Sequence, residues 1–125
     1  MMKKLWKSQK GFTLMEIIIV IVILGILAMI AIPRLIGFTA QAEIASDKEY
    51  AAVAARATEL YWAANDKTAP TIAELVTAKM IDAPGDALQY FSAASVTVDG
   101  DGIATVTLSG TGLTSITYDS VTGYN

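Results

Sequence analysis

Residues 10–33 read KGFTLMEIIIVIVILGILAMIAIP. Phe12 to Ile32 is 21 residues, ~31 Å of helix, which suffices to cross a hydrocarbon layer ~30 Å thick. Four lysines, Lys3, Lys4, Lys7 and Lys10, precede the run, so the positive-inside rule keeps the leader cytoplasmic and sends everything after Arg34 outward. One carboxylate, Glu16, interrupts the apolar run near its start. A lone charge in such a span costs at least ~2.5–3.5 kcal/mol on insertion scales, so Glu16 needs a partner. The stretch Ile17 to Ile32 offers none, and the lysines stand on the far side of Gly11. Cleavage after Gly11 would create an α-amino group on Phe12, a cation that a neighbouring copy could bring to Glu16.

The residues Lys10, Gly11, Phe12, Thr13, Leu14, Met15 and Glu16, with Pro33 further on, resemble the N-terminus of type IV prepilins and the related pseudopilins. The likeness is strong over residues 7–40 and architectural beyond. It implies cleavage by a prepilin peptidase between Gly11 and Phe12, N-methylation of Phe12, and pairing of Glu16 with the Phe12 amine of an adjacent subunit. The implied fold is α+β, a pilin-like lollipop. A long N-terminal helix, hydrophobic stem then amphipathic half, packs on a small C-terminal antiparallel sheet. Its divisions are a leader over 1–11, a transmembrane and assembly helix over 12–33, an amphipathic helix over 34–65, and a head over 66–125. The implied partners are further copies in a helical homopolymer, the peptidase and inner-membrane assembly machinery, and the membrane before assembly. The precursor would sit in the cytoplasmic membrane with its head outside, and the assembled subunit in an extracellular filament. A secretory signal peptide fits less well, because its apolar core is only ~7–15 residues and ends at a small-residue cleavage site.

Gly25 in mid-span and Pro33 at its end weaken helix continuity through backbone freedom and a lost N–H donor. The resemblance supports reading them as points where the helix softens when subunits pack.

The whole chain carries nine basic and twelve acidic residues, and loss of the four leader lysines leaves five basic, a net charge of about −7. Such a balance lacks the basic patch of a nucleic-acid surface, so no direct nucleic-acid binding is expected. With no histidine and no cysteine, the usual zinc ligands, imidazole base and thiol nucleophile are missing, and no enzymatic activity is expected. The absence of cysteine also departs from pilins that close a C-terminal loop with a disulfide. Gly110, Thr111 and Gly112 form no phosphate loop.

Beyond Pro33, apolar residues at helical spacing predict a stripe through Ile36, Ala40, Ile44, Tyr50, Val53, Ala54, Ala57, Leu60, Tyr61 and Ala64. Glu43, Asp47, Lys48, Glu49, Arg56 and Glu59 fill mainly the other directions. Thr71 and Glu74 form a T-x-x-E capping box that opens a short helix. Pro84, Gly85 and Asp86 mark a turn. Alternation predicts three strands, 95–98, 103–108 and 113–118, in an antiparallel meander. No cofactor and no metal site is expected. Asp99 and Asp101 supply at most a fragment of a calcium loop, and an Asp-Gly hairpin turn is the simpler reading.

The functional reading is the major structural subunit of a type IV pilus, acting in adhesion, twitching motility, DNA uptake or surface interaction. The alternatives are a pseudopilin of a type II secretion system and a membrane-anchored module that never polymerises.

Overall fold

The computed structural model describes residues 11–125, and the expected leader lysines lie outside the described residues. Helix α1 runs Leu14–Ala64, α2 Ile72–Thr77 and α3 Pro84–Ala87, followed by strands β1 Ala93–Val98, β2 Ala104–Ser109, β3 Ile116–Asp119 and β4 Gly123–Tyr124. The chain divides into two units, up to Gly37 and from Phe38 onward.

In the first unit the apolar side chains are solvent-exposed throughout, from Phe12 at 83% to Ile18 at 42%. Helix α1 is long and apolar enough there to cross a membrane. Branched and unbranched aliphatics point in every direction, the pattern of a helix built for an apolar surrounding rather than for one packed face. Gly25 and Pro33 both lie inside the helix. Pro33 has no N–H to give, so the Met29 carbonyl goes without its usual helical donor.

In the second unit, α1 continues to Ala64 and closes with Asp66 and Lys67 in the left-handed region, at φ 50° and 61°. There the Lys67 N–H reaches back to the Trp62 carbonyl at 3.0 Å, satisfying one of the last helical acceptors. The capping box at Thr71 and Glu74 is present and starts α2. Pro84 opens a single turn of helix, α3, where a turn was expected; proline suits that first position because its missing N–H would be unpaired there anyway.

The sheet is antiparallel in the order β1-β2-β3-β4. Val96 stands opposite Val106, and Val106 opposite Tyr118. Ala104, Val106 and Leu108 alternate inward and are fully buried. They join Ala51, Ala54 and Ala55 of α1, with Leu75 and Phe91, in one hydrophobic core. Alanine on the helix lets that core close with short side chains.

Two expectations change. The sheet has four strands rather than three, because the third strand begins later than expected and a fourth follows it. Leu113 is taken up in a turn, its N–H bonded to the Gly110 carbonyl at 3.1 Å. Asp119 Oδ1 then accepts from the N–H groups of Val121 and Thr122, at 2.8 and 3.0 Å, turning the chain so that Gly123, at φ 84°, brings Tyr124 back beside Tyr118. The buried helix face also differs. It runs through Asp47, Ala51, Ala54, Ala55, Ala57 and Thr58, whereas Val53 and Leu60 remain 47% and 65% exposed. The predicted stripe followed apolar residue types. Spacing alone, at 47, 51, 54 and 58, traces the face that is buried.

Candidate functional site

The N-terminal site is built by the start of a helix. Gly11 and Phe12 precede α1 and are exposed. Thr13 accepts the Ile17 N–H at its carbonyl, 3.3 Å, which makes it the residue on which the helix begins. Its hydroxyl accepts the Glu16 N–H at 3.2 Å. In return, Glu16 Oε2 accepts the Thr13 N–H at 2.8 Å and the Thr13 hydroxyl at 3.0 Å. This is the reciprocal capping box, T-x-x-E, repeated at Thr71 and Glu74 with bonds of 2.7, 2.9 and 3.3 Å.

Within one chain, Glu16 therefore has its hydrogen-bond partner on the N-terminal side, away from Ile17–Ile32. Thr13, three residues earlier, engages the carboxylate within one chain, and the positive end of the helix dipole adds to the attraction. The same T-x-x-E pattern that located α2 was legible at residues 13–16. The arrangement places a carboxylate near the start of an apolar helix, four residues after Phe12.

A second cluster holds the head together. Asp47 is fully buried, and its carboxylate accepts three successive backbone N–H groups: Gln89 at 2.7 Å on Oδ1, Tyr90 and Phe91 at 2.8 Å each on Oδ2. No buried side-chain polar atom among the described residues is left unpaired. The sequence pattern places Asp47 off the apolar stripe, whereas the structure buries it. One turn away, the Tyr50 hydroxyl donates to the Asp82 carbonyl at 2.9 Å. Burial, followed by the nearby Asp82 charge, pushes that phenol up. The Tyr124 hydroxyl donates to the Lys48 carbonyl, while the Lys48 ammonium lies 5.0 Å from the Tyr124 ring centre. Burial, with Tyr118 adding to it, pushes the Tyr124 phenol up to about 12. Adjacent positions on α1 thus grip both the α3–β1 segment and the last strand.

Asp99 serves the β1–β2 turn. Its Oδ1 accepts the N–H groups of Asp101 and Ile103 at 3.0 and 2.9 Å. Among the described residues, no three His, Cys, Asp or Glu side chains converge as a metal-binding group. Gly102, at φ 87°, completes the turn beneath Trp62, whose ring would lie 2.8 Å from an added Cβ. An open groove of about 770 Å³ runs beside α1, bordered by Glu49, Tyr50, Val53, Lys79, Met80 and Asp82.

The family model for the prokaryotic N-terminal methylation motif matches residues 6–32. Over 38 residues the chain is 55% identical to a fimbrial protein of Pseudomonas aeruginosa, covering 30% of this chain and 25% of that protein. It is 61% identical over 31 residues to type II secretion system core protein G of Klebsiella michiganensis, covering 25% and 22%. To the type IV major pilin protein PilE1 of Neisseria gonorrhoeae it is 56% identical over 36 residues, covering 29% and 22%. The chain thus spans about a quarter of the length of the curated relatives it matches. No solved structure matches it. Over this N-terminal stretch the chain carries the prokaryotic N-terminal methylation motif and is similar to type IV pilins and type II secretion pseudopilins, and its long helix packed on a small antiparallel sheet agrees with the fold that this likeness implies.

Proposed function

We propose that the chain is the major structural subunit of a type IV pilus, processed between Gly11 and Phe12 and methylated at Phe12. The observation that carries this reading is the pairing of opposite surfaces in one chain. The helix up to Gly37 exposes apolar side chains on every side, while the part from Phe38 onward has its own closed core. Before assembly the exposed helix is covered by lipid. In a fibre it is covered by the helices of other copies, and a heterologous contact repeated with rotation and rise extends without closing. The Phe12 amine of one copy then meets Glu16 of another, exchanging the bonds from Thr13 for a charge-assisted one. Gly25 and Pro33 are the points at which the helix yields when copies pack. Prepilin peptidase and the inner-membrane assembly machinery are the partners this route requires. Adhesion, twitching motility, DNA uptake and surface interaction are the tasks such a fibre serves, without direct nucleic-acid binding by the subunit.

A pseudopilin is the second reading, favoured by the likeness to type II secretion system core protein G. Shearing appendages from the native cells, followed by electron microscopy and N-terminal sequencing of the main protein, separates the two. Long filaments whose subunit begins at a methylated Phe12 support the pilus. A processed protein that stays with the membrane and gives no long fibres supports the pseudopilin, and calcium binding near Asp99 and Asp101 then becomes the next test. An unprocessed chain overturns both.

A further inference from the structure

The β1–β2 turn contains Asp99, Gly100, Asp101 and Gly102, the same dipeptide twice in succession. In an Asp-Gly pair the glycine nitrogen can attack the aspartate side-chain carbon, because glycine has no Cβ to block the approach and its backbone turns freely. The two pairs are identical in sequence, and the fold treats them differently. The Gly102 N–H donates to the Asp99 carbonyl at 3.1 Å, and the Asp99 N–H donates to the Ile103 carbonyl at 3.2 Å. Asp99 Oδ1 accepts the N–H groups of Asp101 and Ile103 at 3.0 and 2.9 Å. From Asp99 to Ile103, the amide without a partner among the described residues is that of Gly100.

That amide is the nucleophile for Asp99. Gly100 is exposed, and a Cβ added to it would meet nothing within 4 Å, so its nitrogen is free to give its proton to water and turn toward the Asp99 carboxyl carbon. The carboxyl is prepared to receive it. Two N–H donors on Oδ1 polarise the carbon and stabilise the charge that develops on this oxygen in the tetrahedral intermediate, as an oxyanion hole does. The second pair has neither advantage. Its nitrogen is committed to the Asp99 carbonyl, Gly102 is held at φ 87° beneath the Trp62 ring, and no backbone N–H among the described residues bonds the Asp101 carboxylate. Asp119 gives a further contrast. Its Oδ1 also accepts two N–H groups, but the amide that follows it, Ser120, donates to the Ala104 carbonyl at 3.0 Å.

We infer that Asp99 is a site of spontaneous covalent modification, rearrangement to isoaspartate through a succinimide, and that the turn directs this reaction to Asp99 and spares Asp101. The Gly100 nitrogen forms a bond to the Asp99 side-chain carbon. The Oδ2 oxygen leaves as water, with the amide proton and a proton that the carboxyl takes from solvent. Water then opens the five-membered ring. Addition at the former side-chain carbonyl restores aspartate, and addition at the main-chain carbonyl leaves the chain running through the Asp99 methylene as isoaspartate. The water lost is regained, so the mass is unchanged and no other reactant takes part. In isoaspartate the old carboxyl carbon belongs to the main chain, Oδ1 no longer holds the Asp101 and Ile103 N–H groups, and the link between β1 and β2 loosens. This chemistry is independent of whether the chain forms filaments.

The full chain in detergent is kept in warm neutral buffer for several weeks, beside a sample unfolded in urea. Both are then digested, and electron-transfer fragmentation of the peptides distinguishes isoaspartate from aspartate at each position. Labelling with protein L-isoaspartyl methyltransferase gives the total. In the folded protein, isoaspartate at Asp99 should exceed that at Asp101 and at Asp119 by roughly tenfold. In urea, where the turn is gone, Asp99 and Asp101 should react alike. Gly100→Ala closes the approach to Asp99 and should remove most of its isoaspartate, while circular dichroism confirms that the variant is folded. Equal amounts at Asp99 and Asp101 in the folded protein, an excess at Asp101, or an unmodified Asp99 after the urea sample has reacted would overturn the assignment.

Discussion

Asp47 and Phe91 are separated by 44 positions in the chain and joined by a 2.8 Å hydrogen bond from the Phe91 N–H to the buried Asp47 carboxylate. With Gln89 and Tyr90 the same carboxylate binds three consecutive N–H groups. A buried charge persists only where such bonds replace water, and here they come from backbone that leads directly into β1. The link fixes where the sheet begins relative to the core-facing side of the helix.

Asp47→Ala removes the acceptor and leaves buried or half-buried donors unpaired, at about 1–3 kcal/mol each. We expect a loss of roughly 3–5 kcal/mol overall, comparable to breaking a buried charged contact. Asp47→Asn keeps the shape and one acceptor oxygen, so its loss should be smaller. Urea unfolding of the detergent-solubilised protein, followed by near-ultraviolet circular dichroism, measures both. An alanine variant as stable as the parent would refute the anchoring role.

Glu16→Gln separates the two duties of Glu16. The amide oxygen still accepts from Thr13, so helix start and membrane insertion should be unchanged. It cannot attract an amine as a carboxylate does, and filament yield should fall at least tenfold. Glu16→Ala should fail at assembly as well. Quantitative blotting of sheared and membrane fractions reads the difference, and normal filaments from either variant would count against pairing with Phe12.

Gly102→Ala tests the contact between the β1–β2 turn and the end of α1. The added methyl meets the Trp62 ring at 2.8 Å on a backbone with φ 87°. Overpacking of that kind costs ~1–3 kcal/mol, with the left-handed backbone adding ~1–2 kcal/mol. Gly100→Ala, two residues away with nothing within 4 Å, should change stability by less than about 0.5 kcal/mol. Equal thermal midpoints for the two variants would show that Trp62 simply moves aside.

Alkaline pH should release β4. The Tyr124 phenol is held up to about 12, by burial first and then by Tyr118, against an ordinary value of 10. A raised pKa means that the folded chain favours the protonated phenol. Its contribution is therefore complete below pH 10 and lost as pH rises through about 12. Tyr124→Phe should remove that part of the pH dependence while weakening the strand at neutral pH through loss of the bond to Lys48. Unfolding midpoints measured between pH 9 and pH 12 for both proteins test it, and parallel curves would rule the effect out.

On the acid side, the N–H groups of Thr122 and Val121 hold the Asp119 carboxyl below its ordinary value. The turn before β4 should therefore be intact above pH 4 and loosen as pH falls further. Asp119→Asn should flatten that loss, and hydrogen exchange at Val121 and Thr122 across pH 2–5 would show whether it does.

What can be read from the sequence without the fold is what local rules control. The apolar run, the motif around Gly11, Phe12 and Glu16, the capping box at Thr71 and Glu74, and the alternation of β1 and β2 are each set by residues within a few positions of one another. Thr13 belonged to that legible set, since T-x-x-E is complete in four residues. The rest depends on contacts that form only when the chain folds. Asp47 looks like any exposed helical acid until the backbone of Gln89, Tyr90 and Phe91 arrives, and a charge is buried only when partners from elsewhere in the chain replace its water. Val53 and Leu60 have the composition of core and the position of surface, because the helix turns its alanines, which admit close approach, toward the sheet. Strand β4 is two residues long and has no pattern of its own. It exists because Asp119 and Gly123 turn the chain back on itself, and because Tyr124 then reaches Lys48, 76 positions earlier, a contact that no local propensity encodes.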